Sequence, residues 1–203
     1  MSIMGHSDFI KEELDQKLLS TQFKVSTNWH VITGAPSSGK TTLIKLIKDK
    51  GFKISAEPAR QYIEMELAKG LTIPEVQKDL VELNKAIAAF HLGIERQLPP
   101  NETIFLDRGL PDCLAYHRLH GMNPNELLDD CFHFRYRSVF ILERLPFQQD
   151  GVRYEDDECA EFHQFWLLKD YRAMGYNPIF VPILSPEERL KFILDKLSKY
   201  KLI

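Results

Sequence analysis

The chain has 203 residues, 44% hydrophobic and 27% charged, with a formal net charge of −3. This length suits one domain with a full core, and the slight acidity argues against a general nucleic-acid binder, which carries a basic face. Its longest apolar runs, such as residues 139–142, are far too short to span a bilayer, and residues 1–15 lack the charged start and apolar stretch of a signal peptide.

Residues 8–19 carry apolar side chains at helical spacing and predict a short amphipathic helix, part of an accessory extension over 1–24 ahead of a main domain at 25–203. A short apolar strand, Val31-Ile32, follows, and a helix pattern through Leu43, Ile44, Leu46 and Ile47 ends at Gly51. Residues 52–56 read as a second strand. Pro58 opens a helix that runs to about Lys69 and stops at Gly70. A long helical pattern covers Pro74 to about Leu98, and residues 103–107 form a third strand. Two short helices are expected near 111–119 and 124–134, then a fourth strand over 137–143. The polar segment 145–157 reads as a lid, followed by a helix to Met174 and a fifth strand over 178–183. Ser185-Pro186-Glu187-Glu188 is a capping box that opens the last helix. Strands alternating with helices imply a parallel sheet covered on both faces.

Between the first strand and its helix lie Gly34, Ala35, Pro36, Ser37, Ser38, Gly39, Lys40, Thr41 and Thr42, which fit the phosphate-binding loop G-x-x-x-x-G-K-[ST] at every fixed position. Its glycines let backbone N–H groups turn toward a polyphosphate, and the helix N-terminus adds partial positive charge. Lys40 is placed to reach the β- and γ-phosphates of ATP or GTP, and Thr41 to ligate Mg²⁺. Asp107 closes the third strand, where ligands bind in open α/β sheets, and reads as the second Mg²⁺-organising residue. Glu57 follows the second strand. The helix dipole alone would favour an acid there, yet beside the loop it would position or deprotonate an acceptor hydroxyl. Arg60 and Arg108 are candidates to hold the acceptor, and Arg153, with Arg144 as second candidate, is expected to reach the transferring phosphoryl group from the lid.

Cys113, Cys131 and Cys159 are widely spaced, odd in number and free of C-x-x-C, which fits reduced thiols in a cytoplasmic protein and no metal cage. His91, His117, His120, His133 and His163 share no motif and read as helix-face or packing residues, with Tyr62, Tyr116 and His120 as weak candidates for a pocket wall. Phe132, Phe134, Tyr136, Phe162, Phe165 and Trp166 are expected in the core.

The segments G-A-P-S-S-G-K-T, E-P-A-R, F-L-D-R-G and L-E-R-L-P-F-Q-Q-D-G-V-R, in that order, resemble the P-loop "AAA" family that groups the NadR-type ribosylnicotinamide kinase domain with the TRPL-translocation-defect protein. The resemblance covers about residues 29–197. It implies an α/β P-loop NTPase of nucleoside/nucleotide-kinase type, a three-layer sandwich with five parallel strands in the order 2-3-1-4-5. It also places Glu57 and Arg60, Asp107, and Asp150 to Arg153 at the family's acid–Arg pair, Walker-B-like Asp and D-G-[LV]-R lid. The H-x-G-H signature of nucleotidyltransferases does not appear, so that activity is not implied. The D-R-G form at Asp107, Arg108 and Gly109 is closer to the translocation-defect relatives, described as nucleotide and phosphoinositide binders. The expectation is therefore a Mg²⁺-dependent, ATP- or GTP-using kinase of a nucleoside-like or other small hydroxyl acceptor. The alternative is a regulatory nucleotide switch with slow hydrolysis and a lipid or protein partner.

Overall fold

Five short runs of β-branched and aromatic residues pair in parallel and leave their carboxyl ends at one edge. In the computed structural model, which describes residues 9–144 and 157–200, the strands are β1 (Val25–Ser26), β2 (Trp29–Thr33), β3 (Lys53–Ser55), β4 (Ile104–Asp107), β5 (Phe134–Arg135), β6 (Ser138–Leu142) and β7 (Ile179–Val181). The helices are α1 (Lys40–Asp49), α2 (Pro58–Ala68), α3 (Ile73–Val76), α4 (Leu80–Glu95), α5 (Asp112–Leu119), α6 (Asn125–Cys131), α7 (Asp157–Ala173) and α8 (Pro186–Lys199). The main sheet has the order β3-β4-β2-β6-β7, all parallel. Counted along the main-sheet strands, this is the expected order 2-3-1-4-5.

Every residue of β2, β4 and β6 is buried, as a sheet covered on both faces requires. Side-chain alternation divides them between two cores. Val31, Ile104, Leu106, Val139 and Ile141 join α4, α5, α6 and α7 on one face. Ile32, Phe105, Phe140 and Leu142 join α1 and α8 on the other. No helix among the described residues is long and apolar enough to cross a membrane.

Several expectations need correction. Residues 9–17 form no helix; only a single 3₁₀ turn, Leu18–Ser20, appears in the predicted helical span. Their backbone groups bond outward instead of to one another. Ile10 N–H donates to the Arg118 carbonyl at 3.1 Å. Arg118 Nε donates to Glu12 O at 2.8 Å, and Asn125 Nδ2 to Glu13 O at 3.0 Å. Leu14 is thereby buried in the core. The long helix expected over 74–98 is broken in two, because Asp79 caps a fresh start by accepting from Glu82 N at 3.0 Å. Phe165 is 58% exposed; it faces outward on α7, where the Lys169 ammonium lies 5.6 Å from its ring centroid. The β1–β5 pair, with Val25 opposite Phe134, was not anticipated. Two-residue strands carry no readable alternation.

Candidate functional site

The carboxyl ends of β2, β3, β4 and β6 surround one loop. β2 ends at Thr33 and the chain turns at Gly34 with φ of 147°, a region that favours glycine. A Cβ there would lie 2.9 Å from the Leu142 carbonyl oxygen and 3.0 Å from Ser38 Oγ. The loop then enters α1 at Gly39 without a side-chain cap, which leaves first-turn N–H groups available to an anion. Lys40 folds back over the loop: its Nζ donates to Gly34 O at 2.9 Å, Ala35 O at 2.8 Å and Ser38 Oγ at 3.3 Å.

Two side chains outside the motif fix the loop from behind. Arg189 of α8 donates to three carbonyls: Nη1 to Ser38 at 2.6 Å, Nε to Pro182 at 2.9 Å and Nη2 to Glu143 at 3.0 Å. Gln164 of α7 accepts from Ala35 N at 2.8 Å. Neither position shows a sequence signal; both follow from how α7 and α8 pack.

Across from the loop, Glu57 stands at the N-cap position of α2 but makes no side-chain cap bond; its Oε1 accepts from Arg108 Nε at 2.8 Å. Arg108 is a non-glycine residue at φ of 75°. Its Nη1 lies 3.4 Å from both Gly34 O and Asp112 Oδ2. Asp112, buried, also accepts from the Thr33 hydroxyl and from Tyr171 OH, the latter at 2.8 Å. Gly109 admits no side chain, because a Cβ there would come within 2.7 Å of Tyr171 Oη. Asp112 is thus a site residue the motif reading missed, five positions after Asp107 in D-R-G-L-P-D.

Between these walls lies a cavity of about 500 Å³ lined by Pro36, Ser37, Gly39, Lys40, Thr41, Thr42, Glu57, Arg60, Arg108 and Tyr116. Gly34, Ala35 and Ser38 form the buried back of the loop, and Asp107 is buried. Tyr62 does not line this cavity; it packs on Phe90 with ring centroids 5.6 Å apart. His120 is likewise absent from the wall. Arg144, just past β6, has Nη1 4.0 Å from Glu161 Oε1. Arg153 and residues 145–156 of the lid expected over 145–157 lie outside the described residues.

The charges act on one another across the cavity. Burial pulls the Lys40 ammonium down to about 7; Arg108 adds to this, while Asp107, Glu57 and Asp112 oppose it. Burial pushes Asp107 up to about 6, helped by Glu57 and opposed by Arg108 and Lys40. Burial would raise Glu57 too, but the charge and hydrogen bond of Arg108 more than offset it and hold that carboxyl below its ordinary value. Asp107 Oδ1 is buried with no hydrogen-bond partner among the described residues. An orphan carboxylate oxygen at the end of β4 fits a hydrated Mg²⁺, which needs one or two protein oxygens at a phosphate site, not a cage.

A proton balance follows. A polyphosphate beside Lys40 favours its charged form, so nucleotide binding is expected to take up close to one proton at pH 8 and little at pH 6. Calorimetry in buffers of different ionisation enthalpy measures this uptake, and Lys40→Met should abolish it. In the ligand-free protein the folded chain binds fewer protons than the unfolded one between about 7 and the ordinary 10.5. This residue's contribution to stability therefore rises with pH across that window.

A family model described as an AAA domain matches residues 29–189. The chain belongs to that AAA-domain family. Among curated proteins, none matches its sequence. In solved structures, the fold of this AAA-domain chain is that of P-loop kinases. NadR in complex with NR superposes with a TM-score of 0.63 at 20% identity, over 87% of this chain and 52% of that one. NadR with NAD and AMP-PNP gives 0.64 at 18%, over 87% and 50%. This chain therefore spans about half the length of the NadR chains. Deoxyadenosine kinase from M. mycoides, with products bound, gives 0.58 at 16%, over 85% and 99%. These likenesses establish the α/β P-loop kinase fold of the AAA-domain chain.

Proposed function

We propose that the protein is a Mg²⁺-dependent phosphotransferase that moves the terminal phosphoryl group of ATP or GTP to the hydroxyl of a nucleoside-like or other small acceptor. One observation carries this reading: Lys40 and the carboxylate of Glu57 face a single cavity of about 500 Å³, which has space beside the loop for an acceptor. The NadR and deoxyadenosine kinase structures, solved with NR, with NAD and AMP-PNP, or with deoxynucleotide products, support a nucleoside-like acceptor.

In this reading the loop amides and Lys40 hold the transferring group, with Lys40 exchanging its bonds to Gly34 O and Ala35 O for phosphate oxygens. Asp107 and Thr41 would hold Mg²⁺, which neutralises charge on the phosphates when bound. Glu57 accepts the hydrogen bond of the attacking hydroxyl and takes its proton late, because Arg108 keeps the carboxylate ionised and a weak base. Arg60 faces the same space and holds the acceptor. Catalysis is then chiefly positioning and electrostatics.

The test is Mg²⁺-dependent ADP and GDP release, with and without a panel of nucleosides that includes nicotinamide riboside, beside Asp107→Ala and Glu57→Gln. Acceptor-stimulated release is expected, lost in Asp107→Ala. It should fall about 10²–10⁴-fold in Glu57→Gln, where nucleotide affinity is retained. Nucleotide binding with only slow hydrolysis that no acceptor stimulates would replace the kinase by the regulatory-switch reading.

A further inference from the structure

The amino ends of β6 and β7 lie at the opposite end of the sheet from the P-loop, and a second cavity of about 340 Å³ opens there. That volume falls within the range of small-molecule sites. Arg135, Arg137, Asn177, Tyr176 and Tyr200 contribute to its wall, and no Asp or Glu does. Neither guanidinium is neutralised by a carboxylate among the described residues. Arg135 donates through Nη2 to Gly175 O at 2.9 Å and lies over the rings of Phe23 and Tyr176, at 4.8 and 4.9 Å from their centroids. This stacking fixes its plane without using up its charge. Arg137 is exposed and anchored through its backbone, its N–H donating to Trp29 O at 2.8 Å.

Ser138 also lines the cavity, and its Oγ lies 2.7 Å from Nδ1 of the fully buried His30. Nε2 of His30 has no partner among the described residues. Burial and the charge of Arg137 together push the His30 imidazole down to about 4, so it is neutral and adds no charge to the cavity. The cavity therefore combines uncompensated positive charge with exposed aromatic surface, Tyr200 being 52% exposed. Guanidinium pairs suit phosphate oxygens, and a tyrosine face suits a planar heteroaromatic ring.

We propose that this rear cavity is a second ligand site, separate from the P-loop, that takes a phosphate monoester joined to a planar ring, a nucleoside monophosphate in chemical class. Arg137 and Arg135 receive the phosphate and Tyr200 receives the ring. Among the described residues its wall holds no phosphate loop and no Asp or Glu, and the role proposed for it is binding alone. It does not depend on the kinase reading.

The test uses the full chain with its P-loop saturated by AMP-PNP and Mg²⁺, titrated with AMP, adenosine or inorganic phosphate by calorimetry. AMP is expected to bind at one site, at least tenfold more tightly than either fragment. Arg137→Glu should weaken AMP by about tenfold or more, and Tyr200→Ala severalfold, with AMP-PNP affinity unchanged as the control for folding. The proposal is overturned if AMP does not bind. It is also overturned if AMP affinity is the same in Arg137→Glu, which would locate the AMP in the P-loop cavity. Phosphate binding as tightly as AMP would reduce the site to a simple anion patch and overturn the nucleotide class.

Discussion

Replacing Lys40 by Ala is expected to lower acceptor phosphorylation by about 10³-fold while leaving the melting temperature at pH 7 unchanged or slightly higher. The two halves of this result have separate causes. Among the described residues, Nζ is the one ammonium lining the P-loop cavity, and transition-state charge on the phosphoryl oxygens has no equivalent mobile donor on the loop. Stability responds differently, because the same ammonium is buried and pulled down to about 7. Holding it charged costs the folded state, and removing it relieves that cost. Against this stand the hydrogen bonds to Gly34 O and Ala35 O, each worth about 1 kcal/mol net. The lost bonds, including the one to Ser38 Oγ, and the lost attraction of Asp107, Glu57 and Asp112 oppose the relief of burial. Single-turnover kinetics and thermal unfolding on the same preparation decide the matter. Activity lost in proportion to melting temperature would make Lys40 a strut of the loop and not a catalytic group.

The P-loop was legible because its chemistry imposes a local, contiguous pattern. Gly34 must be glycine for its φ and for its approach to Leu142, and Lys40 and Thr41 follow at fixed spacing. The placement of Glu57 and Asp107 at the sheet's carboxyl edge was legible for a related reason: each directly follows or closes a segment with a clear strand pattern, and that edge is where open α/β sheets in general bind ligands. The strand order came from family resemblance and not from periodicity. What stayed hidden is tertiary. Asp112 meets Thr33 across 79 residues, Gln164 meets Ala35 across 129, and Arg189 meets Ser38 across 151. No local pattern encodes such pairs. Residues 9–17 misled for the converse reason. Their spacing is helical, but Arg118 and Asn125 offer their backbone groups better partners than a short isolated helix does. The break before α4 was visible in Asp79, an N-cap residue with Glu82 three positions on, yet the apolar period running through it dominated the reading.

The largest loss of stability is expected from Arg118→Ala. Arg118 is fully buried on α5 and pairs with both oxygens of Asp170 on α7, at 2.6 and 2.9 Å. Its guanidinium stacks on Trp166 at 3.9 Å from the ring centroid, and its Nε holds Glu12 O. One side chain thus joins α5, α7 and the N-terminal segment. Truncation leaves a cavity and an unpaired buried carboxyl, for an expected loss of about 3–5 kcal/mol. Most of that loss lies on Asp170, not on the missing bonds. Burial already pushes the Asp170 carboxyl up to about 6 against the pull of Arg118, and without the arginine it rises further. A carboxyl whose folded pKa is raised loses stability as pH climbs from its unfolded value through its folded one. The deficit of Arg118→Ala should therefore be larger at pH 8 than at pH 5, as read by urea unfolding at both. Replacing the pair together, Arg118→Met with Asp170→Leu, should recover much of the stability, because no charge is then left buried. A loss below about 1 kcal/mol for Arg118→Ala, independent of pH, would mean that water reaches Asp170 and that the α5–α7 contact is held by its apolar side chains alone.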